Sequence, residues 1–186
     1  MILLEAVVGG LIVALLTGGR LSGLQSEQLR GEWLLLALLP AQLVWPSVAA
    51  ILAVGRGVAI LVWLLMMSGL ATVLLVNASH RWMLAFAGLG IALNVLVIGL
   101  NGAMPVSIEA AESAGIPSAR TVEVLKDDLV HEVLSARAVV PFLADVIAIP
   151  GPEWQRAVVS LGDLLLAGGL ALWVFAACRS DRGTPQ

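Results

Sequence analysis

The sequence has little charge and only one cysteine, and both shortages narrow the possible classes of protein. Charged residues make up 12% of the 186 residues and hydrophobic residues 60%, so the apolar surface exceeds what one water-soluble core buries. The net charge of −3 is too small and too dispersed for a nucleic-acid-binding protein. The single cysteine, Cys178, excludes an intramolecular disulfide and a cysteine-based metal cluster. The composition therefore points to the membrane.

Familiar nucleotide-binding and catalytic motifs are also missing from the chain. The sequence has no Walker loop, no Rossmann fingerprint and no G-x-S-x-G nucleophile motif. The two histidines, His80 and His131, fall on opposite sides of the membrane in the topology given below. No His, Cys and Asp triplet has the spacing of a metal site. We therefore predict neither a metal nor a cofactor.

The apolar residues are grouped in runs of about twenty, the length that crosses a hydrocarbon layer of roughly 30 Å. Five runs are present, at about residues 2–17, 33–54, 58–77, 82–100 and 157–178. The first is the shortest, and whether it crosses completely stays open. It lacks a basic leading region and a cleavage pattern, so we interpret it as a retained span. The sequence predicts an all-α membrane protein, a single transmembrane domain over 1–186 with about five transmembrane helices.

A long polar segment, residues 101–156, separates the fourth and fifth runs. Within it, apolar residues recur at spacings of three and four along residues 118–136, with charged residues on the other side. The apolar positions are Val122, Leu125, Leu129 and Val133. This spacing predicts an amphipathic helix that lies on the membrane surface or over the helix bundle.

The distribution of arginine predicts the orientation in the membrane. Short loops on one side of the membrane carry Arg20, Arg30, Arg81, Arg179 and Arg182. Acidic residues outnumber basic ones in the 101–156 segment on the other side. Because basic loop residues stay in the cytoplasm, we expect an extracytoplasmic segment 101–156, with the N-terminus outside and the C-terminus inside the cell membrane.

Two aspartates lie in apolar surroundings, where an ionisable group is costly. Asp163 is near the outer end of the fifth run, and Asp145 lies at a similar depth. Two carboxyl groups at close range share a proton, and such a pair can activate water and polarise a carbonyl. The alternative is structural: Asp163 stabilises a helix N-terminus, and Asp145 pairs with Arg137 or Arg156.

Three further polar residues are candidate binding groups near the same face of the membrane. Asn94 and Asn101 are seven residues apart on one face of the fourth run, and Asn101 stands at its outer boundary. Glu5 is near the outer end of the first run. Each has an ordinary alternative role: an interhelical hydrogen bond, a helix terminator and a residue at the water boundary, respectively.

Along nearly its whole length the chain resembles an uncharacterised family of small bacterial multi-pass membrane proteins. The segments that carry this resemblance are Gly18–Leu24, Leu29–Leu34, Asn101–Val106 and Ser160–Asp163. The family's function is unknown, so the resemblance implies the architecture alone.

A local resemblance concerns the two aspartates. Phe142–Asp145 and Ser160–Asp163 resemble the paired aspartate motifs of the lipoprotein signal peptidases, which are small membrane aspartyl proteases. The resemblance implies that the two terminal aspartates form a catalytic dyad, with the amphipathic helix as a lid. In that family an asparagine stands three residues before each aspartate, whereas here Phe142 and Ser160 hold those places.

These observations favour a non-enzymatic helical bundle with a structural, lipid-binding or partner-binding role. Its expected partners are membrane lipid and a second membrane protein or another copy of the chain, and not nucleic acid. Two alternatives stay open. The first is an intramembrane aspartyl hydrolase that acts through Asp145 and Asp163, and the second is a transporter subunit.

Overall fold

The computed structural model describes residues 2–180 and consists mainly of α-helices. The helices are α1 (Ile2–Leu16), α2 (Leu21–Gln25), α3 (Glu32–Ile51), α4 (Arg56–Asn77), α5 (Trp82–Asn101), α6 (Ile108–Ser113), α7 (Ser118–Lys126) and α8 (Leu161–Ser180). Four of them, α3, α4, α5 and α8, are long and apolar enough to cross a membrane. Helix α1 is apolar but has 15 residues, about 23 Å of helix against a layer of roughly 30 Å. The predicted helical membrane architecture is confirmed, with four candidate spans and one shorter apolar helix.

The connecting segment, residues 102–160 between α5 and α8, forms a folded cap at one end of the bundle. It contains strands β1 (Met104–Val106), β2 (His131–Val133), β3 (Ile147–Ile149) and β4 (Ala157–Val159), and a short 3-10 turn at Pro141–Leu143. Strand β1 pairs in parallel with β2, and β3 pairs antiparallel with β4. A single bridge between Val106 and Asp145 joins a further piece of chain to β1.

The amphipathic helix predicted over residues 118–136 is shorter than expected, because α7 ends at Lys126. The Asp128 side chain accepts hydrogen bonds from the backbone N–H groups of Val130 and His131, at 2.7 and 2.8 Å. These bonds turn the chain out of the helical path and into β2. Pairing with β1 then supplies the hydrogen bonds that a longer helix would have made.

The other apolar runs correspond closely to helices, and the largest difference is at the start of the last one. The predicted span began at residue 157, but residues 157–159 form β4 and α8 begins at Leu161. Hydrophobicity alone does not distinguish a short buried strand from the beginning of a helix.

The four long helices and α1 form a row in which each packs on one or two others of the row, and the short α2 packs on α8 as well. Helix α5 packs on both α4 and α8, α3 packs on α4, and α1 packs on α8. Helices α1 and α8 run parallel: Gly10 approaches the backbone of Ala171, and the Arg20 N–H donates to the carbonyl of Cys178 at 2.7 Å. The N-terminal ends of α1 and α8 therefore lie on the same side of the bundle, the side of the connecting segment.

The principal apolar core lies between α4, α5 and the flanking helices. Its buried members are Met67, Leu70, Ala71, Leu74, Leu84, Ala87 and Ile91. At the end of the bundle away from the connecting segment, the Arg81 guanidinium bonds Glu27 at 2.6 Å. The Asn77 side chain also bonds both backbone groups of Arg30 there. Polar groups thus fix α4 and α5 to the chain before α3.

Candidate functional site

Asp163 lies in the first turn of α8, where it takes part in a reciprocal cap. The Asp163 N–H donates to Ser160 Oγ at 3.0 Å, and the Ser160 N–H donates to Asp163 Oδ2 at 2.9 Å. This S-x-x-D arrangement is a capping box, in which two side chains satisfy the free N–H groups of a helix start. The S-x-x-D spacing is visible in the sequence. The cap that these two residues form explains why α8 begins at Leu161.

Asn94 extends this cap across to α5. Its Nδ2 donates to Asp163 Oδ1 at 2.7 Å, and Ser160 Oγ donates to Asn94 Oδ1 at 3.0 Å. Both carboxylate oxygens of Asp163 therefore accept a hydrogen bond from the protein. One hydrogen-bond network therefore contains both the interhelical bond predicted for Asn94 and the helix-start role predicted for Asp163.

Asp145 has a contrasting environment. The residue is buried, and its Oδ1 has no hydrogen-bond partner in the protein. Its backbone is paired with the end of β1, because the Asp145 N–H donates to the carbonyl of Pro105 at 3.0 Å and the Ser107 N–H donates to the carbonyl of Asp145 at 2.9 Å. Burial, and then the charge of Asp163, raise the pKa of Asp145 to about 7, although the charge of His131 acts in the opposite direction.

His131 stands between Asp145 and a third carboxylate. Its Nδ1 is 3.0 Å from Asp128 Oδ1, and its Nε2 is 3.9 Å from Asp145 Oδ2. Partial burial lowers the pKa of His131, but the hydrogen bond and charge of Asp128 outweigh it, so that the pKa is raised. Burial also raises the pKa of Asp128, and the contacts with His131 overcome this and lower the pKa to about 2.

The three carboxylates and His131 line one cavity of about 530 Å³ beneath the connecting segment, the inner cavity. Its apolar walls come from α3, α4, α5 and α8, namely Leu43, Pro46, Trp63, Met67, Ile91 and Leu166. Asn94 and Asp163 lie on the helix side of the cavity, and Asp145 and His131 on the side of the connecting segment. A mostly apolar cavity with a few convergent polar groups is the usual form of a small-molecule site.

Two predicted binding residues lie elsewhere. The Asn101 side chain donates to the carbonyls of Val97 and Val139 at 2.8 and 3.0 Å and accepts from the Val139 N–H at 2.7 Å. It fixes the connecting segment to the end of α5 and does not line the inner cavity. Glu5 is in α1, which packs on α8, and it does not line the cavity either.

The sequence interpretation did not include His131 and Asp128 in the site. The D-x-x-H spacing was visible, but a continuous helix over 118–136 would have carried both residues along its own axis. Only the turn after α7 brings them under β1 and beside Asp145. Within residues 2–180, no group of three or more His, Cys, Asp or Glu side chains has the arrangement of a metal site.

Comparison with known protein families matches residues 27–175 to DUF5317, a family of unknown function. The match includes the connecting segment and all or most of each of the four long helices. No curated protein and no solved structure is significantly similar to the chain. The resemblance to the signal peptidases therefore has no support from a relative. Because the match extends over most of its length, the chain belongs to DUF5317, a family of unknown function.

Proposed function

We propose that the protein binds a lipid-like amphiphile in the inner cavity, with the polar end of the ligand at Asp145. The observation that carries this proposal is Asp145, which lines the polar end of an apolar cavity and whose buried Oδ1 has no partner in the protein. An unpaired buried polar oxygen is unfavourable by about 1–3 kcal/mol. A ligand that donates a hydrogen bond would remove that penalty.

The shape of the bundle supports a ligand that enters from the membrane. Helix α3 contributes Gln42, Leu43 and Pro46 to the cavity wall and packs along α4, but it makes no comparable packing with α8. The side between α3 and α8 thus faces hydrocarbon. An acyl chain can enter there without crossing water, which favours an amphiphile over a water-soluble ligand.

The chemistry of the polar end limits the head group. Asp145 is protonated below about pH 7 and ionised above it, because its pKa is raised to about 7. In both forms the carboxyl group is able to accept a hydrogen bond. We therefore expect a hydroxyl or ammonium head group, and above about pH 7, where Asp145 is ionised, we expect this carboxylate to repel a bare phosphate.

Native mass spectrometry of the protein released from its expression membrane tests this proposal. We expect a bound lipid on the wild type, and Asp145→Leu should lower its occupancy about tenfold, the effect of one lost hydrogen bond to a charged group. Leu43→Trp should exclude the chain by filling the cavity. Its matched control is Leu36→Trp, seven residues earlier on the same face of α3 and outside the cavity. Equal occupancy in all four proteins would reject the proposal.

A second candidate is an aspartyl hydrolase, favoured by one observation: Asp145 and Asp163 line the same cavity and differ in their hydrogen bonding. Protonated Asp145 would donate to the carbonyl oxygen of a membrane-anchored substrate. Asp163, which accepts hydrogen bonds from Asn94 and Ser160, would take a proton from the attacking water. A fluorogenic lipid-anchored peptide is the probe. Turnover should disappear in Asp145→Asn and Asp163→Asn and persist in Asp127→Asn, which alters another residue of the cavity wall.

We propose further that the connecting segment faces outward from a bacterial cell membrane. The arginine distribution supports this orientation, and the parallel α1 and α8 put the beginning of the chain on the same side as the connecting segment. Reporter fusions test it: a C-terminal green fluorescent protein should be fluorescent, and a C-terminal alkaline phosphatase should be inactive. An active phosphatase would reverse the orientation.

A further inference from the structure

The connecting segment encloses a second cavity of about 570 Å³, the outer cavity. It is lined by residues of α6, α7 and β4, and it includes the charged side chains Arg120, Glu153 and Arg156. Three titratable residues line both cavities: Asp128, His131 and Asp145. They therefore form the partition between the solvent side of the connecting segment and the polar end of the inner cavity.

Asp128 fixes the orientation of the His131 ring. Its Oδ1 accepts the backbone N–H groups of Val130 and His131 and lies 3.0 Å from His131 Nδ1. Because the pKa of Asp128 is lowered to about 2, this carboxylate only accepts at neutral pH. In the neutral ring the hydrogen is thus on Nδ1, and Nε2, which carries the lone pair, is 3.9 Å from Asp145 Oδ2, just beyond hydrogen-bond distance.

The two groups differ in their access to water. The Asp145 side chain is 8% exposed, whereas the His131 side chain is 40% exposed. Both residues line the outer cavity, but the imidazole is much the more accessible of the two groups to the water there.

The other charges near this partition are engaged elsewhere. Arg120 pairs with Glu153 at 3.0 Å, and Arg156 donates to the carbonyls of Gly115 and Gly151. The remaining charged groups facing His131 and its strand are Asp127 and Asp163 in the inner cavity, and Glu132 with its distant partner Arg56 at 4.0 Å. Among the described residues that line the two cavities, His131 is the basic side chain placed beside Asp145.

We propose that His131 carries protons between Asp145 and the water of the outer cavity, with Asp128 as a positioning residue. The Asp145 proton passes to Nε2 when side-chain motion closes the 3.9 Å separation to hydrogen-bond distance, and this leaves an imidazolium between two carboxylates. Nε2 then releases that proton to water, while the other ring hydrogen stays on Nδ1, which donates it to Asp128 Oδ1. If the proposed lipid binding is correct, which is a separate premise, ligand occupancy of the inner cavity is thereby linked to the pH outside the membrane.

The first test uses wild-type, ligand-free protein in nanodiscs. Nitrogen-15 spectra of the histidines should show His131 as the Nδ1–H tautomer when neutral, with its signal assigned by loss in His131→Gln. Infrared spectra should show a protonated carboxyl band that titrates near pH 7 and is lost in Asp145→Asn. A neutral ring with its hydrogen on Nε2 would overturn the proposal.

The second test follows the same infrared band in variants. Removing the imidazole in His131→Gln should move the midpoint of the Asp145 band upward, because the cation that favours the carboxylate is lost, and should slow proton exchange after a pH jump. Asp128→Asn should also slow proton exchange, because the His131 ring loses the carboxylate that orients it. The matched control is His80→Gln in the turn between α4 and α5, which should change neither quantity. Unchanged midpoint and exchange in His131→Gln would overturn the proposal. None of these outcomes depends on a bound lipid, so the lipid measurement and this one fail separately.

Discussion

At the scale of single residues, the main chain holds Asp145 in place and leaves its side chain without full compensation. Both backbone groups of Asp145 are paired with the chain beside β1, while Oδ1 has no partner. A carboxyl group that is positioned in this way responds to pH without moving. Its protonation state, and hence its chemistry, can change while the fold around it stays the same.

Asp145→Asn should change how stability depends on pH. The pKa of Asp145 rises from its ordinary 3.8 to about 7 on folding, so the unfolded chain releases this proton first as the pH rises. The wild type therefore loses stability between about pH 4 and pH 7 through this group, and the variant does not. In detergent, the unfolding temperature of the variant relative to that of the wild type should rise as the pH increases from about 4 to about 7. A difference that stays constant from pH 4 to pH 8 would contradict the raised pKa.

The sequence predicted part of this residue-scale picture. It selected Asp145, Asp163 and Asn94, because polar groups in apolar runs need a reason to be there. It assigned Asn101 to the same cluster by helical spacing, but spacing gives the face of a helix and not what the next segment places over it. It missed His131 because the partner of a strand residue depends on pairing across the chain, which one-dimensional periodicity does not contain.

At the scale of the elements, the most extensively packed helix pair, α5 and α8, determines the geometry of the site. Helices α5 and α8 meet through Gly90 and Gly162, and a methyl group added to Gly162 would overlap the side-chain oxygen of Asn94. The absence of a side chain at Gly162 is therefore what allows Asn94 to reach Asp163. The packing of the two helices and the cap of α8 depend on one another.

Gly162→Ala should break this network. The new methyl group has no room between Asn94 and the backbone of Gly90, so either the amide turns away from Asp163 or the helices separate. We expect a loss of about 1–3 kcal/mol of stability, as for overpacking. The matched control is Gly168→Ala in the same helix, where nothing lies within 4 Å of the added methyl. Equal unfolding temperatures for the two variants would contradict this packing.

Hydrophobic runs predicted the long helices well and their ends less well. The ends depend on single side chains: the Ser160 and Asp163 cap begins α8, and the Asp128 turn keeps the chain from continuing as α7. Local side-chain bonds of this kind compete with helix formation, and their outcome depends on what the freed backbone can pair with. For α7 that partner is β1, which is distant in the sequence.

At the scale of the whole molecule, the two ends of the bundle are held together differently. The end with the connecting segment relies on strand pairing and on the Asn94 and Asp163 network. The opposite end relies on the ion pair of Arg81 with Glu27, whose side chain is only 7% exposed. Loss of the cation from the Arg81 and Glu27 pair is especially unfavourable, because it leaves the buried carboxylate of Glu27 without a partner.

Arg81→Gln should therefore destabilise the protein more than an equal substitution at the other end. We expect a loss of about 1–3 kcal/mol, the range for an unsatisfied buried group. The control is Arg120→Gln, which breaks the pair with Glu153, where both side chains are largely exposed; such pairs contribute about 0–1 kcal/mol. Unfolding by denaturant in detergent measures both. Similar midpoints for the two variants would show that burial of Glu27 has no energetic weight.

The pairing of α5 with α8 also has a consequence in time. Asn94 and Asp163 are 69 residues apart, which at about 5–20 residues per second corresponds to roughly 3–14 s of synthesis. During that delay the side-chain amide of Asn94 lacks its partner Asp163. Helix α1 lacks its packing partner α8 for still longer. Helix α8 is made after α1 and α5, the helices on which it packs, so a ribosome that stops before α8 leaves both of these contacts and the candidate site unassembled.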